Sequence, residues 1–303
     1  MTAVGWEAPN VVRRPDPANP AAAVSLCMSG FDVGWELKTV LADWIEFFGS
    51  RPGEIVYIDG GSRRSVQKKL LSLLHSGHLD KLHLLNPRSW ENSFHRCFIQ
   101  EYQSGKAATL PYIAFVKPDT LAYRMGFQDW LLRDLGKLDD PSVFALTLSH
   151  LIDPPSGKDG EYHQYNFASL NFSLMKRESF HAAMHGECGP YIADGFRGGF
   201  PESIVCEPAY RRGLVEWAWQ QHCIRHGLRT LARAESNHWT IFHINKYGRK
   251  LMAIRDAFRS RRGIEPYFDK VKGLYRPPYG PIKQLGVSIE QSIRRARRQL
   301  TGR

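Results

Sequence analysis

The sequence predicts an α/β fold in which a mostly parallel central sheet is flanked by helices. Three observations lead to this prediction: short apolar runs alternate with amphipathic segments, most of the apolar runs are continuous, and glycine follows several amphipathic segments. Continuous apolar strands are typical of parallel sheets that are covered on both faces. A chain of 303 residues is long enough to form one large domain of this kind.

The first half alternates strand and helix in strict order. Residues 1–22, rich in Pro and Ala, are expected to form a flexible leader. Strands are predicted at 24–28, 54–59, 81–85 and 112–116, with helices between them that begin near Leu37, Val66 and Phe94. Right-handed crossovers make this half a Rossmann-like layer, in which ligands bind at the carboxyl ends of the strands.

The second half of the chain is less regular. The same patterns predict helices at about 127–135, 177–185 and 210–226, strands at 143–148 and 170–175, and loops at 153–166 and 186–207. A long helix is expected over 246–262, at the start of a basic, helical C-terminal extension that covers 246–303.

The charge of the chain points to an anionic partner. The formal net charge is +11, which favours nucleic acid, an acidic membrane surface or a phosphorylated small molecule. No nucleic-acid motif occurs and the basic residues are dispersed, so nucleic acid is not the expected partner. Five cysteines without a C-x-x-C pair, and no apolar stretch long enough for a signal or a membrane span, predict a cytoplasmic location.

Residues that directly follow the predicted strands are the first candidates for a binding site. Asp59 precedes Gly60 and Gly61, so it can accept hydrogen bonds from a nucleotide, although a simple helix-capping turn is an equal alternative. Asp119 is well placed to hold Mg²⁺ or Mn²⁺ and Lys117 to neutralise phosphate, unless Pro118 and Asp119 only begin a turn.

The order of five motifs resembles the GT-A-type glycosyltransferases, in particular their large inverting family of nucleotide-diphospho-sugar transferases. The motifs are VSLCMSGF, IVYIDGGS, YIAFVKPDT, NFSLMKRESF and VEWAWQQHCIRHGLR, and a histidine follows them. The resemblance runs from Val24 to His243 and implies a catalytic domain over 23–245. Its nucleotide-binding half would cover 23–125 and its acceptor half 126–245.

This resemblance implies a role for each matching residue. The donor, a nucleotide-diphosphate sugar, would bind at Ser29, Asp59, Gly60, Gly61, Lys117 and Asp119. The Asp-x-Asp metal motif of the family falls on Lys117-Pro118-Asp119, so Asp119 becomes the metal ligand, together with His243 or its rival His238. Because a lysine replaces the first carboxylate, the dependence on Mn²⁺ or Mg²⁺ could be weaker than usual in the family. Glu216 matches the acidic pair that supplies the general base, with Glu207 as the rival.

The remaining expectations concern the acceptor, the membrane and the competing functions. Trp217 and Trp219 could stack on an acceptor sugar, or simply pack in the core. The basic C-terminus could bind the inner face of an anionic membrane, where a lipid-linked acceptor for polysaccharide or glycolipid synthesis would lie, or it could be a solvated tail. A catalytically silent domain that binds a sugar or a partner, and a basic nucleic-acid-binding protein, are the alternative functions.

Overall fold

The computed structural model describes residues 4–7, 19–33, 37–85, 93–118, 120–122, 134–147, 155–170, 172–196, 214–233 and 241–243. All of them belong to the first of the two units into which the chain divides, Met1–Lys246. The helix predicted over 246–262 and the basic C-terminal tail lie outside the described residues, as does nearly all of the helix predicted over 127–135.

The described part contains twelve strands and five α-helices. The strands are β1 Val4–Glu7, β2 Val24–Gly30, β3 Glu54–Asp59, β4 Lys81–Leu84, β5 Tyr112–Val116, β6 Thr120–Ala122, β7 Val143–Thr147, β8 Gly157–Asp159, β9 Tyr162–Tyr165, β10 Ser173–Lys176, β11 Arg229–Arg233 and β12 Ile241–His243. The helices are α1 Leu37–Phe47, α2 Arg64–His75, α3 Ser93–Ala107, α4 Arg177–Ala193 and α5 Leu214–His226.

Ten of these strands form one mixed sheet in the order β1-β4-β3-β2-β5-β10-β7-β11-β9-β8. Strands β2, β3, β4 and β5 pair in parallel, as the sequence predicts, and β7 pairs in parallel with β11. Only β1, β9 and β10 run against the common direction. The fold is therefore a mixed α/β layer with a mostly parallel central sheet.

The order of the parallel strands reverses between β2 and β5. From β2 the chain proceeds outwards to β3 and then β4, and helix α3 returns it to the other side of β2 as β5. Such a reversal opens a crevice at the carboxyl ends of the two strands, and open α/β sheets bind ligands there. The carboxyl ends of β2, β3 and β5 are therefore the first place to look for a site.

The loop predicted over 153–166 is wrong, because this segment contains the hairpin of β8 and β9. Asp159 pairs with Tyr162, which leaves Gly160 and Glu161 as the two turn residues. Gly160 has φ +56°, a conformation that glycine adopts readily at the first position of such a turn. Glycine at the first turn position was the signal for this hairpin, but the flanking residues lack the apolar alternation of a typical strand.

The glycine-rich segment after His185 was expected to be a loop, yet α4 continues through it to Ala193. Glycine and proline both weaken a helix interior, so local propensity favours the loop. Cys188 and Tyr191 are buried, and the ring of Tyr191 packs against Phe98 at 5.4 Å. Tertiary packing thus outweighs the local cost, and residues 197–207 of the predicted loop lie outside the described part.

Two described parts of the predicted flexible leader have regular secondary structure. Val4–Glu7 forms β1, which pairs antiparallel with β4, and Pro20–Ala23 forms a 3₁₀ helix capped by the side chain of Asn19. An outer parallel strand leaves one row of backbone donors and acceptors unpaired, and a short antiparallel strand can satisfy them. The composition of the leader gave no sign of this partner strand.

Helices α3, α4 and α5 share one apolar cluster with the sheet. Phe115 of β5 packs against Phe180 of α4 at 5.2 Å and against Trp219 of α5 at 5.1 Å. All three rings are almost fully buried, and burying such a side chain contributes about 1.5–3 kcal/mol. Among the described helices, none combines the length and the apolar character needed to cross a membrane.

A buried glutamate joins the strands at their amino ends. Glu54, at the start of β3, accepts hydrogen bonds from Ser25 Oγ (2.6 Å) and from Thr109 N and Oγ1 (2.9 Å each). Lys81 Nζ of β4 lies 2.7 Å from Glu54 Oε1 and donates to the carbonyl of Ala107 at 3.0 Å. Burial tends to raise the pKa of Glu54, but Lys81, Ser25 and Thr109 outweigh it, so the pKa is lowered.

We predict that Glu54→Gln lowers the free energy of unfolding by about 3 kcal/mol, since the substitution leaves Lys81 without its buried counter-ion. The pKa of Glu54 is lowered in the folded state, so its stabilisation is present above the ordinary carboxyl pKa and is lost as the pH falls. Urea denaturation at several pH values measures both effects. Glu178→Gln, at an exposed acid of α4, is the control and should cost less than about 1 kcal/mol. Equal losses in the two variants would contradict this account.

Candidate functional site

The turn after β3 is organised by Asp59. Its carboxylate accepts hydrogen bonds from Gly61 N (3.1 Å) and Ser62 N (2.9 Å), from the hydroxyl of Ser62, and from Gln67 Nε2 (3.3 Å). Asp59 has no exposed surface, and burial raises its pKa even though these donors act to lower it. Asp59 therefore shapes the turn that leads into α2, and its direct contact with a nucleotide stays a prediction.

Side chains of α3, of β3 and of the turn after β5 pack closely against Gly30 and Gly60, at the carboxyl ends of β2 and β3. A Cβ on Gly60 would lie 1.5 Å from Gln100 Nε2, and one on Gly30 would lie 2.6 Å from Tyr57 Oη and 2.8 Å from Pro118 Cγ. Gly60 N and Gln100 Nε2 both donate to the carbonyl of Gly30, at 2.8 and 3.0 Å. Three strand ends and helix α3 are thus held against one another at the crevice.

The turn after β2 presents an aromatic ring that the sequence analysis did not single out. Phe31 is 43% exposed, one of two large apolar residues that are exposed in the described part. Its neighbour Asp32 is fixed to the next turn, because its N–H donates to Ser62 Oγ (2.7 Å) and its carboxylate accepts from Arg63 N (3.0 Å). An aromatic residue directly after a strand was the available signal. A partly exposed ring on a fixed turn is suited to stacking against a base or a sugar.

Lys117 follows β5 at the same edge of the sheet, and Ser29 precedes Gly30 on β2. The carbonyl of Lys117 accepts hydrogen bonds from Thr120 N (3.0 Å) and from the Thr120 hydroxyl, which makes Lys117 to Thr120 a tight turn with proline at its second position. Trp44 Nε1 of α1 donates to the Thr120 carbonyl at 3.0 Å. The end of this turn is therefore anchored to a buried helix, while Asp119 itself lies outside the described residues.

The two-stranded sheet of β6 and β12 places the backbone of His243 opposite β6. His243 pairs directly with Thr120, the residue after Asp119. The rival His238 lies outside the described residues, as does Glu207, the rival base. Because Asp119 and His238 both lie outside the described residues, the choice between His243 and His238 as the metal ligand stays a prediction.

Among the described residues, no group of three or more His, Cys, Asp and Glu side chains could hold a metal ion. Asp119 lies outside this set, and only the backbone of His243 is described. A carboxylate and an imidazole do have the chemistry that Mn²⁺ accepts. The metal site stays a prediction that depends on these two side chains.

Glu216 lies in the first turn of α5 and is largely buried, with 9% of its surface exposed. Its Oε1 accepts hydrogen bonds from Leu170 N (2.7 Å) and from Ser169 Oγ (3.2 Å). Both donors belong to the segment between β9 and β10, which reaches the same edge of the sheet because β10 runs antiparallel to β5. These two hydrogen bonds hold the Glu216 side chain at this edge.

Glu101 of α3 is a second acid at this place, and the sequence analysis did not select it. Its Oε2 is shielded from solvent and has no hydrogen-bond partner among the described residues. Burial raises the pKa of Glu101 to about 8; the charge of Lys117 acts to lower it, and the charge of Glu216 to raise it. On the sequence this glutamate looks like one more polar residue of an amphipathic helix, so no pattern marked it.

The two tryptophans beside Glu216 are core residues. Trp219 has no exposed surface, and its ring lies among Phe115, Phe144 and Phe180. Trp217 is 8% exposed and belongs to the same apolar cluster. The structure thus gives no support to sugar stacking on Trp219, and the alternative of core packing describes both residues in this structure.

A cavity of about 640 Å³ lies at the opposite edge of the sheet, at the amino end of β5 and of α4. Its cationic side chains already have partners: Lys176 Nζ lies 3.0 Å from Asp139 Oδ1, and Arg177 Nη1 donates to the Thr109 carbonyl at 2.8 Å. Glu178 adds negative charge to the lining. The cavity is therefore poorly suited to phosphate, and we place the candidate site at the carboxyl edge.

Comparisons with known proteins do not assign the chain to a family. No protein-family model matches it, and no curated protein matches its sequence. Among solved structures, it is similar to a mannosyltransferase from Pyrobaculum calidifontis in complex with GDP-Man and Mn²⁺, with TM-score 0.46 and 15% identity over 81% of this chain and 66% of the other. It is also similar to S. aureus TarS, with TM-score 0.33 and 12% identity over 55% of this chain and 29% of TarS.

A shorter form of TarS, residues 1–349, gives TM-score 0.33 and 11% identity over 54% of this chain and 48% of that one. All three TM-scores are below 0.5, so the likenesses do not decide fold or function. The proposal below is argued from the residues of this chain instead.

We predict that Gly60→Ala lowers the free energy of unfolding by about 1–3 kcal/mol, because the new Cβ displaces Gln100 from the Gly30 carbonyl and leaves that acceptor without the side-chain donor. Thermal and urea denaturation give the loss. Gly189→Ala, in α4 with no atom within 4 Å of its added Cβ, is the matched control and should be neutral or stabilising. A Gly60→Ala variant as stable as the control would mean that the two turns are not tightly joined.

Proposed function

We propose that this chain is a GT-A-type glycosyltransferase that transfers a sugar, with inversion, from a nucleotide-diphosphate donor to a hydroxyl group. The observation that supports this most strongly is that the charges of Lys117 and Glu216 both act on Glu101, near the carboxyl ends of β2 and β5, where the strand order reverses. Lys117 is a cation suited to binding a diphosphate, and Glu216 is a carboxylate suited to accepting a proton. Both lie at the edge where α/β sheets usually bind ligands. Sugar transfer needs both groups.

The donor would bind across the turns after β2, β3 and β5. Phe31 offers a ring face to the base, and the turn of Asp59, Gly60 and Gly61 lets the nucleotide approach the backbone closely. Lys117 would bind the diphosphate as a point charge, with Ser29 and Asp119 as further predicted contacts. The hydrogen bonds among these turns hold the binding surface in place before the ligand arrives.

In the proposed reaction, Glu216 accepts the proton of the acceptor hydroxyl as that oxygen attacks the anomeric carbon. Lys117 offsets the negative charge that develops on the departing nucleoside diphosphate. A Mn²⁺ or Mg²⁺ held by Asp119 and His243 would supply further positive charge at the diphosphate. A single carboxylate base is sufficient for inversion, because no covalent sugar–enzyme intermediate forms.

The proposed acceptor carries a hydroxyl group and lies at a membrane surface. A saccharide or lipid-linked acceptor for surface polysaccharide or glycolipid synthesis follows from the resemblance in sequence motifs. The basic residues after Pro281 suit an anionic membrane surface, so the proposed location is cytoplasmic and peripheral to the membrane. Because Trp219 is buried in the core, the acceptor would be contacted by other residues.

A second candidate function is a silent domain that binds a nucleotide sugar without transferring it. One observation favours it: Glu216 Oε1 is already engaged by Leu170 N and Ser169 Oγ, so the carboxylate has a structural task. The two functions predict the same donor binding but different turnover.

We predict that a nucleotide-diphosphate sugar raises the melting temperature of the protein, because it binds the native state alone. A thermal-shift panel of UDP, GDP, CMP and dTDP compounds, each with and without Mn²⁺, identifies the donor. Lys117→Ala should weaken binding at least about tenfold through loss of the phosphate contact. Lys106→Ala, at an exposed lysine near the end of α3, should leave it unchanged. No shift with any compound would contradict the proposal.

We predict that Glu216→Gln reduces transfer at least about 100-fold while donor binding changes little, since the amide keeps an acceptor for Leu170 N but cannot take up the proton. Product formation by mass spectrometry gives the rate, and calorimetry gives donor affinity. Full activity in this variant would move the base to Glu207 or elsewhere. Donor binding without transfer or hydrolysis in the unmodified protein would favour the silent domain.

A further inference from the structure

The Glu101 carboxyl is partly buried and has an oxygen that accepts no hydrogen bond from the described residues. Gln100, its neighbour on α3, donates to the Gly30 carbonyl at the carboxyl end of β2, so this part of α3 lies beside the candidate site. The residue as a whole is half-buried, but its Oε2 is shielded from solvent and has no hydrogen-bond partner among the described residues. A buried carboxylate oxygen without a donor is costly, whereas a protonated carboxyl is tolerated far better.

The groups around α3 do not compensate for a negative charge at this position. Helix α3 packs against β2, β3, α4 and α5. The titratable side chains that contact α3 from these elements include Cys27, which donates to the Ser104 carbonyl, and the rings of His185 and Tyr191. The charges that act on the Glu101 carboxyl are those of Lys117 and Glu216, which have opposite effects, and withdrawal from water is the largest influence.

Glu101 and Glu216 differ in what surrounds them. Glu216 receives an N–H and an O–H donor on one oxygen, while Glu101 Oε2 receives none among the described residues. When two carboxyl groups interact and their environments differ in this way, one keeps its proton and the other stays ionised. Such a division gives each acid a separate role.

We propose that Glu101 is a positioning residue of the candidate site, which stays protonated at neutral pH so that Glu216 is the ionised acid of the pair. An ionised Glu101 would place a second negative charge near Glu216 and would oppose an anionic ligand at Lys117. The neutral form contributes no such charge while filling the same volume. The inference deepens the proposed function and rests on it for the identity of the ligand, but the protonation of Glu101 can be measured in the protein alone.

The first test is ¹³C NMR of protein labelled at the glutamate carboxyl carbon, with Glu101→Gln used to assign the signal of Glu101. The pKa of Glu101 is raised to about 8 by burial, so its signal should remain that of a protonated acid at neutral pH and change only above it. A signal that titrates in the ordinary range of glutamate, about pH 4–5, overturns the proposal whatever the function of the protein.

The second test is the pH profile of anion binding, with inorganic pyrophosphate as the probe. Wild-type affinity should fall about tenfold between about pH 7 and pH 9, as Glu101 ionises beside the anion. Glu101→Gln, which carries no charge at any pH, should bind as the wild type does at pH 7 and lack most of this fall. Parallel profiles in the two proteins overturn the role of Glu101 in ligand binding.

If pyrophosphate binds neither protein, the donor site of the proposed function is contradicted, and so is the role of Glu101 in ligand binding. The NMR result still decides whether Glu101 is protonated. Folding of the variant is checked by its free energy of unfolding. Because the pKa of Glu101 is raised in the folded state, the stability of the wild type falls as the pH rises from the ordinary carboxyl pKa towards about 8. Glu101→Gln should lack this fall, and a merely structural glutamate with an ordinary pKa would show no such difference.

Discussion

The close approach of the turns after β2 and β3 is the constraint on which the candidate site depends. A side chain at Gly30 or Gly60 would displace its neighbours, and Gln100 joins both turns to α3 through the Gly30 carbonyl. This contact fixes where α3 lies, and α3 in turn carries Glu101 to the neighbourhood of Lys117 and Glu216. At the amino ends of the strands, the hydrogen bonds and the ion pair of Glu54 join β3 to β2, to β4 and to the segment before β5. The proposed binding surface is thus shaped by contacts within the protein, before any ligand is present.

Much of the fold could be predicted from the sequence, because β2 to β5 and the helices between them follow the rules of parallel sheets. Apolar runs predicted β2, β3 and β5, the shorter run that contains Leu82 and Leu84 predicted β4, and the glycines after α1 and α5 predicted the ends of those helices. The errors have a common origin in tertiary contacts. Strand β1 forms because β4 has an unpaired edge, and α4 continues past Gly186 because Tyr191 packs on Phe98. Neither partner is visible in the local sequence.

The candidate site was predictable only in part, for a similar reason. Residues that directly follow strands could be selected by position, which gave Asp59 and Lys117. Glu101 could not, because its importance comes from the shielding of one oxygen and from the two charges near it, and both depend on how helices pack. Trp219 was selected by its position near Glu216, which suggested contact with an acceptor sugar. Its ring is instead buried in the core. Position along the chain identifies an edge of the sheet, and packing decides which side chains reach it.

The central claim, that anionic ligands bind at the carboxyl edge between β2 and β5, is tested most directly by hydrogen–deuterium exchange with and without a saturating nucleoside diphosphate. Slower exchange is expected in the backbone of residues 29–33, 60–64 and 116–120, which form the three turns of this edge. The opposite edge contains the cavity lined by Thr109, Lys176 and Arg177, and exchange there should not change. Protection confined to the cavity, with none at the three turns, would contradict the account.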